Sequence, residues 1–238
     1  MHQIIVSDIV VDVVRKDIKN LHLAVYPPHG RVRVAVPLYV EDDAVRLAVI
    51  AKLPWIKRQQ KQFNAQERQT ERRYISGESH YFEGQRYLLN VEYRNASPSV
   101  KIRNKKILEL VARPGSNVEQ RGRVLIDWYR QHLKEQTAPL IDKWQLIIGV
   151  QVNEWRIKQM KTKWGSCNIE DRRIWLNLEL AKKPIQCLEY IIVHELVHLL
   201  ERHHNDRFTQ LMDTFLPNWR MIRDELNREP LAYETWDY

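Results

Sequence analysis

The sequence predicts an α+β fold, strand-rich at its N-terminal end and helical towards its C-terminal end. Three observations carry this expectation. Apolar residues alternate singly in parts of residues 1–40 and 79–112, the period of a half-buried strand. Two long stretches, 41–71 and about 118–144, read instead as helices. A strand pair near 151–160 and 173–180 then leads into the apolar helical run Leu188-Glu189-Tyr190-Ile191-Ile192-Val193.

Taken in order, Leu21, Leu23 and Val25 alternate with other residues, Pro27-Pro28-His29-Gly30 makes a turn, and Val32, Val34 and Val36 alternate again. A helix begins at Glu41-Asp42-Asp43, whose carboxylates suit the positive end of its dipole. It runs to about Glu71, with a break expected at Pro54. Strands follow at Gln85–Tyr93 and Val100–Val111, joined by Asn95-Ala96-Ser97-Pro98. Pro114-Gly115-Ser116-Asn117 reads as a linker, dividing an N-terminal region 1–115 from a C-terminal domain 116–238. The helix from Val118 to Trp144 buries Val124, Leu125, Trp128 and Leu133. In the strand pair, Trp155, Ile157 and Gln159 alternate with Arg156, Lys158 and Met160, and Ile174, Leu176 and Leu178 form the returning strand's apolar face. Trp164-Gly165-Ser166-Cys167 sits at the turn between them, either as a tight turn anchored by a buried Trp or as part of a substrate or ligand support. No internal repeat and no low-complexity tract is visible.

Composition narrows the classes. A chain of 238 residues holds one large domain or two small ones. Seven glycines, none in a Gly-rich phosphate loop or dinucleotide fingerprint, argue against the P-loop and Rossmann classes. Two cysteines, Cys167 and Cys187, make neither a disulfide framework nor a Cys-rich zinc site, and read as reduced thiols of a cytoplasmic protein. Met1–Asp8 lacks the pattern of an export signal, and no run approaches the ~20 apolar residues of a membrane span. The net charge of +8 suits an acidic partner. Basic residues are densest at Lys52–Arg73, where Lys57, Arg58, Lys61, Arg68, Arg72 and Arg73 face only Glu67 and Glu71. That helix is either a solvated face or a contact for nucleic acid.

The chemistry concentrates at His194-Glu195-Leu196-Val197-His198. On a helix, residues four apart project from one face, so both imidazoles can hold one zinc ion while the glutamate reaches a metal-bound water. The third ligand takes more argument: His204 lies six residues beyond His198, where a continuous helix would turn it away from their face. The chain must leave the helix near Glu201-Arg202-His203. Asn205 or Asp206 then caps a second helix with Phe208, Leu211, Met212, Phe215 and Leu216 on its apolar face, ended by Pro217. His203 is the rival of His204; Glu225 or Glu229 would give a different ligand set. Cys187, two helical turns before His194, lies roughly 10 Å away along the axis, too far to share the ion.

With these residues assembled, the C-terminal third resembles the YgjP-like zinc metallopeptidases, distant relatives of the SprT-type proteases. The matching text within Lys161–Pro217 is Lys163-Trp164-Gly165-Ser166-Cys167-Asn168, Ile174-Trp175-Leu176-Asn177-Leu178-Glu179-Leu180, Pro184, Tyr190–His198, and His204 followed by Phe208. Upstream, Val34-Ala35-Val36-Pro37 and Trp55-Ile56 resemble the family's N-terminal strand and helix. Thr209 stands where an aromatic residue is common. The resemblance implies a zincin-like domain, a mixed or antiparallel sheet packed on the metal-binding helix, with one strand of the pair lining the cleft. It implies zinc on His194, His198 and His204, with Glu195 catalytic. The expected activity is that of a zinc-dependent hydrolase acting on peptide or unfolded protein through a zinc-bound water and a glutamate general base. Some members are described as UTP pyrophosphatases, which the same metal, water and base would serve, with Lys158, Lys161 and Lys163 as phosphate contacts. The SprT kinship and the basic helix leave a DNA-associated module as a third reading.

Overall fold

The computed structural model describes residues 2–26, 30–65, 72–160 and 163–228. The turn at 27–29, the basic stretch over 66–71, Lys161 and Glu229 lie outside the described residues. The chain forms two compact units, one on residues 1–70 and one on 71–232.

In the first unit, β1 (His2–Val6), β2 (Ile9–Lys16), β3 (His22–Tyr26) and β4 (Arg31–Pro37) form a four-stranded sheet in the order β1-β2-β4-β3. β2 and β4 run parallel, and the outer pairs are antiparallel. Val11, Val13, Val32, Val34 and Val36 pack against Val45, Val49 and Ile56 of α1 (Asp42–Ala65), so strand alternation and one helical face close a core together. α1 continues through Pro54, where a break was expected. Pro54 lies on the exposed face, where the carbonyl that loses its N–H partner can turn to water.

The second unit opens on the same plan. β5 (Ser79–Phe82), β6 (Gln85–Tyr93), β7 (Ser99–Arg103) and β8 (Ile107–Ala112) take the order β5-β6-β8-β7, again with one central parallel pair, followed by α2 (Val118–Ile148). Both opening hairpins turn on two residues, Ser7-Asp8 and Glu83-Gly84, with positive φ at Ser7 (58°) and Glu83 (48°). The chain therefore does contain a repeat, of strand pairing and not of residue identity. Many different sequences satisfy one alternating pattern, which is why the sequence hid it.

This second sheet shares its core with α2. Phe82, Tyr87, Leu89, Leu108 and Leu110 join Leu125, Tyr129 and Leu133 in one cluster. The buried Arg121 of α2 donates from Nε to Tyr74 O (2.8 Å), from Nη1 to Ser116 O (2.5 Å) and from Nη2 to Arg73 O (2.9 Å). The units accordingly part at 70/71, not at the 115/116 linker. Asn117 caps α2 in a reciprocal box with Gln120, and Gly149 closes it at φ 76°, five residues past the expected end. Leu125 and Leu133 are buried as expected, while Val124 and Trp128 are half-buried.

The strand pair becomes a three-stranded mixed sheet: β9 (Glu154–Lys158), β10 (Gly165–Asn168) and β11 (Arg173–Asn177), in the order β10-β11-β9. β11 is parallel to β9 and antiparallel to β10, so it does not return along β9, and the segment read as a turn is itself a strand. Asn177 explains the crossover. Fully buried, it donates from Nδ2 to the carbonyls of Met160 and Lys163 (2.8 Å each) and accepts at Oδ1 from the N–H of Met160 (3.3 Å) and Glu179 (3.2 Å). Leu178 leaves the strand and begins a 3-10 turn, Leu178–Lys182. Then come α3 (Ile185–Val197), α4 (Asp206–Phe215) and α5 (Trp219–Arg228). The sheet packs on α3 through β10 and β11, the mixed-sheet α+β arrangement expected. No described helix is long and apolar enough to cross a membrane.

Candidate metal centre

α3 is almost wholly buried, with Leu188, Ile192, Val193, Leu196 and Val197 at most 1% exposed, so its orientation is set on several sides. His194 and His198 stand one turn apart on it, ring centroids 4.9 Å from each other. The helix stops at Val197 with His198 as its cap, and the N–H groups of Leu199 and Leu200 bond to the carbonyls of Leu196 and Val197. Asn205 opens α4, its side chain accepting from Phe208 N at 3.0 Å. That corner carries His204 back over α3, placing its Nε2 3.0 Å from Nε2 of His194. One ring nitrogen from each of His194, His198 and His204 lies within 4.8 Å of the other two. His203 is outside this group and exposed, and Glu225 instead accepts from Gln186 at 2.7 Å. Phe208 supports the cluster, its ring centroid 5.0, 4.7 and 4.8 Å from those of the three histidines.

The three rings suit a cation. Burial, aided by the two neighbouring histidines, pushes His194 down to about 3, and burial also lowers His198. Neutral imidazoles present lone pairs, and two facing nitrogens at 3.0 Å repel unless a proton or cation lies between them. The His198 Nδ1–H donates to Glu201 O at 3.1 Å, an assignment that follows from the acceptor and leaves Nε2 free to face the cluster. His194 Nδ1 is buried without a partner, so packing against Tyr190 and Phe208 orients that ring. Three nitrogen donors and no competing carboxylate fit zinc with one position left open.

Glu195 is 5% exposed, and burial raises its carboxyl to about 8 against the pull of Lys163. Gly165 of β10 makes room for it. A Cβ on Gly165 would come 2.8 Å from both Glu195 Cγ and Ile191 Cγ2. Burial and the nearby Glu195 push the Cys167 thiol up to about 12, leaving it an uncharged wall group. Gly165, Ser166 and Cys167 form one side of a cleft of about 1070 Å³, with His194, Glu195, His198 and His204 also lining it. β10 pairs only with β11, so its other edge is unpaired among the described residues. The cleft strand is thus β10, the segment read as a turn. Lys158 is absent from the lining; it lies on β9, with Nζ 3.1 Å from the centre of the Trp175 ring, while Lys163 does line the cleft.

Residues 19–229 match the profile of the YgjP-like, metallopeptidase domain. The chain belongs to the YgjP-like metallopeptidase family. Metal-dependent peptidase chemistry comes with that membership. Among solved structures, the metallopeptidase zymogen of Pyrococcus abyssi abylysin matches at 22% identity and a TM-score of 0.36, covering 40% of this chain and 99% of that one. The zymogen of Methanocaldococcus jannaschii jannalysin matches at 20% identity and 0.35, covering 39% and 94%. Both overlap only part of the chain, and the family assignment rests on the sequence profile. No curated protein matches significantly.

Three residues of this YgjP-like site carried no functional role in the sequence reading: Phe208 packs the three rings, and Arg202 and Arg223 enter the cleft wall. Gly165, read as part of a segment that was either a turn or a support, clears space above Glu195. A glycine inside a strand marks close approach of a neighbour, a signal that could have found Gly165. Arg223 has no local signal, because only the docking of α5 brings it there.

Proposed function

We propose that the protein is a zinc-dependent peptidase acting on extended, unfolded polypeptide, with Glu195 as general base. The observation that best supports this is the convergence of three imidazoles and one buried carboxylate in a cleft beside a strand edge unpaired among the described residues. His194, His198 and His204 would hold the ion. Zinc bound there would polarise a scissile carbonyl and acidify a water molecule. Glu195 would take the proton of the attacking water and deliver it to the leaving amine, a task that suits its place in the cleft beside the histidines. The free edge of β10 offers backbone N–H and C=O groups to a substrate strand, a mode that reads main chain and favours unfolded chains.

Incubation of the zinc-loaded protein with a reduced, carboxymethylated protein and, separately, with UTP tests this reading. Cleavage of the unfolded chain that stops in Glu195→Gln is the expected result. UTP hydrolysis with the unfolded chain intact would replace it with the pyrophosphatase reading, which has one observation in its favour: Lys163, Arg202 and Arg223 line the same cleft. The nucleic-acid reading is weaker. Among the described residues of α1 the exposed Arg46, Lys52, Lys57, Arg58 and Lys61 share the helix with exposed Leu47, Ile50 and Trp55, the composition of an ordinary solvated face.

A further inference from the structure

Apart from Glu195 and the histidines, the charged side chains lining the cleft are Lys163, Glu170, Arg202 and Arg223, three cations and one acid. Arg223 is the most firmly held of the cations. Its helix α5 buries Trp219, Ile222 and Leu226 in the core, and Gln186 ties it to α3 through Glu225 at 2.7 Å. The guanidinium lies 5.1 Å from the centre of the Trp219 ring. Trp219 stacks on Tyr190 (6.3 Å, 11°), and Tyr190 meets His194 edge to face at 5.8 Å. A rigid stack of guanidinium, indole, phenol and imidazole therefore leads from Arg223 to the histidine cluster.

The neighbouring Arg220 shows what a structural arginine looks like on the same ring. It lies 4.6 Å from the Trp219 centroid and pairs through both terminal nitrogens with Asp213, which also accepts from Trp219 Nε1 at 2.7 Å. Arg223 has no such cross-helix acid. Among the described residues its carboxylate partner is its own chain neighbour Asp224, at 3.1 Å from Nε and 2.9 Å from Nη2, and that carboxylate is 56% exposed to water. A solvent-screened neighbour neutralises little of the charge. Asp224 takes the Nε and Nη2 edge, so what Arg223, a residue of the cleft wall, has left to offer a ligand is its Nη1 end.

We propose that Arg223 is the anion receptor of the cleft, a specificity-determining residue that binds a negatively charged group of the substrate, peptide carboxylate or phosphate, in the same cleft as the histidine cluster. The proposal rests on the metal-centre reading of His194, His198 and His204, and it gives that site a preference for anionic substrates. Lys163 and Arg202 add a diffuse field of the same sign.

Binding to zinc-loaded Glu195→Gln separates recognition from turnover. The probes are a labelled hexapeptide with a free C-terminal carboxylate, its C-terminal amide, the amide with an internal glutamate, and UTP. Adding Arg223→Gln should weaken at least one anionic probe roughly 10- to 100-fold and leave the neutral amide unchanged. Arg223→Lys should restore part of the loss, as a point charge without the fork. Loss confined to the carboxylate peptides assigns the anion to polypeptide. Loss confined to UTP keeps the receptor but makes its ligand a phosphate. Equal weakening of all four probes, no weakening of any, or no preference of the parent protein for anionic probes overturns the proposal. Zinc content is measured on every sample. Absence of zinc with the anion preference intact would sink the metal-centre reading and leave Arg223 standing.

Discussion

At the scale of single residues, Glu195 and His194 pull the site's pH dependence in opposite directions. Burial holds Glu195 up at about 8 and His194 down at about 3, so the metal-free pocket disfavours charge on either. A raised carboxyl pKa stabilises the fold below its ordinary value near 4.5, and that stability is lost as pH rises towards 8. A depressed histidine pKa acts in reverse, with stability present above the ordinary 6.5 and lost as pH falls towards 3. Between pH 6.5 and 8 only the glutamate slope remains of the two. Denaturant titrations of metal-free protein should show stability falling by up to about 2 kcal/mol across that window, and Glu195→Gln should flatten the slope. With metal bound, His198→Ala should lose most of the zinc, since two remaining ligands hold it poorly. His204→Ala should lose zinc and His203→Ala keep it; metal analysis giving the opposite pattern would make His203 the ligand. Glu195→Gln should keep zinc and lose turnover by about 100-fold or more, because an amide cannot accept the water's proton.

At the scale of elements, β10 decides the geometry of the cleft, and two residues decide β10. Gly165 lets the strand lie against Glu195 and Ile191, and Asn177 holds the crossover that delivers it. Gly165→Ala should displace Glu195 and reduce turnover more than zinc content, which parallel activity and metal measurements will reveal. Asn177→Ala removes four hydrogen bonds at a fully buried position and leaves backbone groups of Met160, Lys163 and Glu179 without that partner. A loss of about 2–4 kcal/mol in urea unfolding is expected, against under 0.5 for a surface asparagine.

At the scale of the whole molecule, two separate hydrophobic clusters close two units built on one strand order. Each unit carries its own core and the candidate metal site belongs wholly to the second, so zinc should stabilise the second alone. Calorimetry is expected to show two transitions, with chelation lowering one and leaving the other in place. A single transition that moves as a whole on chelation would mean the units unfold together.

The sequence by itself determined what local chemistry determines. Strand alternation at Val32, Val34 and Val36, the Asn117 and Asn205 caps, and the four-residue spacing of His194 and His198 depend only on near neighbours. The third histidine was legible through the family resemblance; the spacing alone left His203 open. The tertiary structure brings His204 beside His194, because six residues of turn and cap set where it comes to rest. It also decided that Gly165–Asn168 is a strand, since β10 exists by pairing with β11 and a four-residue run carries no period of its own. Pro54 stayed helical for the same kind of reason, its cost depending on which face meets water. Arg223 shows the limit most plainly. Nothing within several residues of it speaks of a cleft, and only the docking of Trp219 against Tyr190 carries its charge to the histidines.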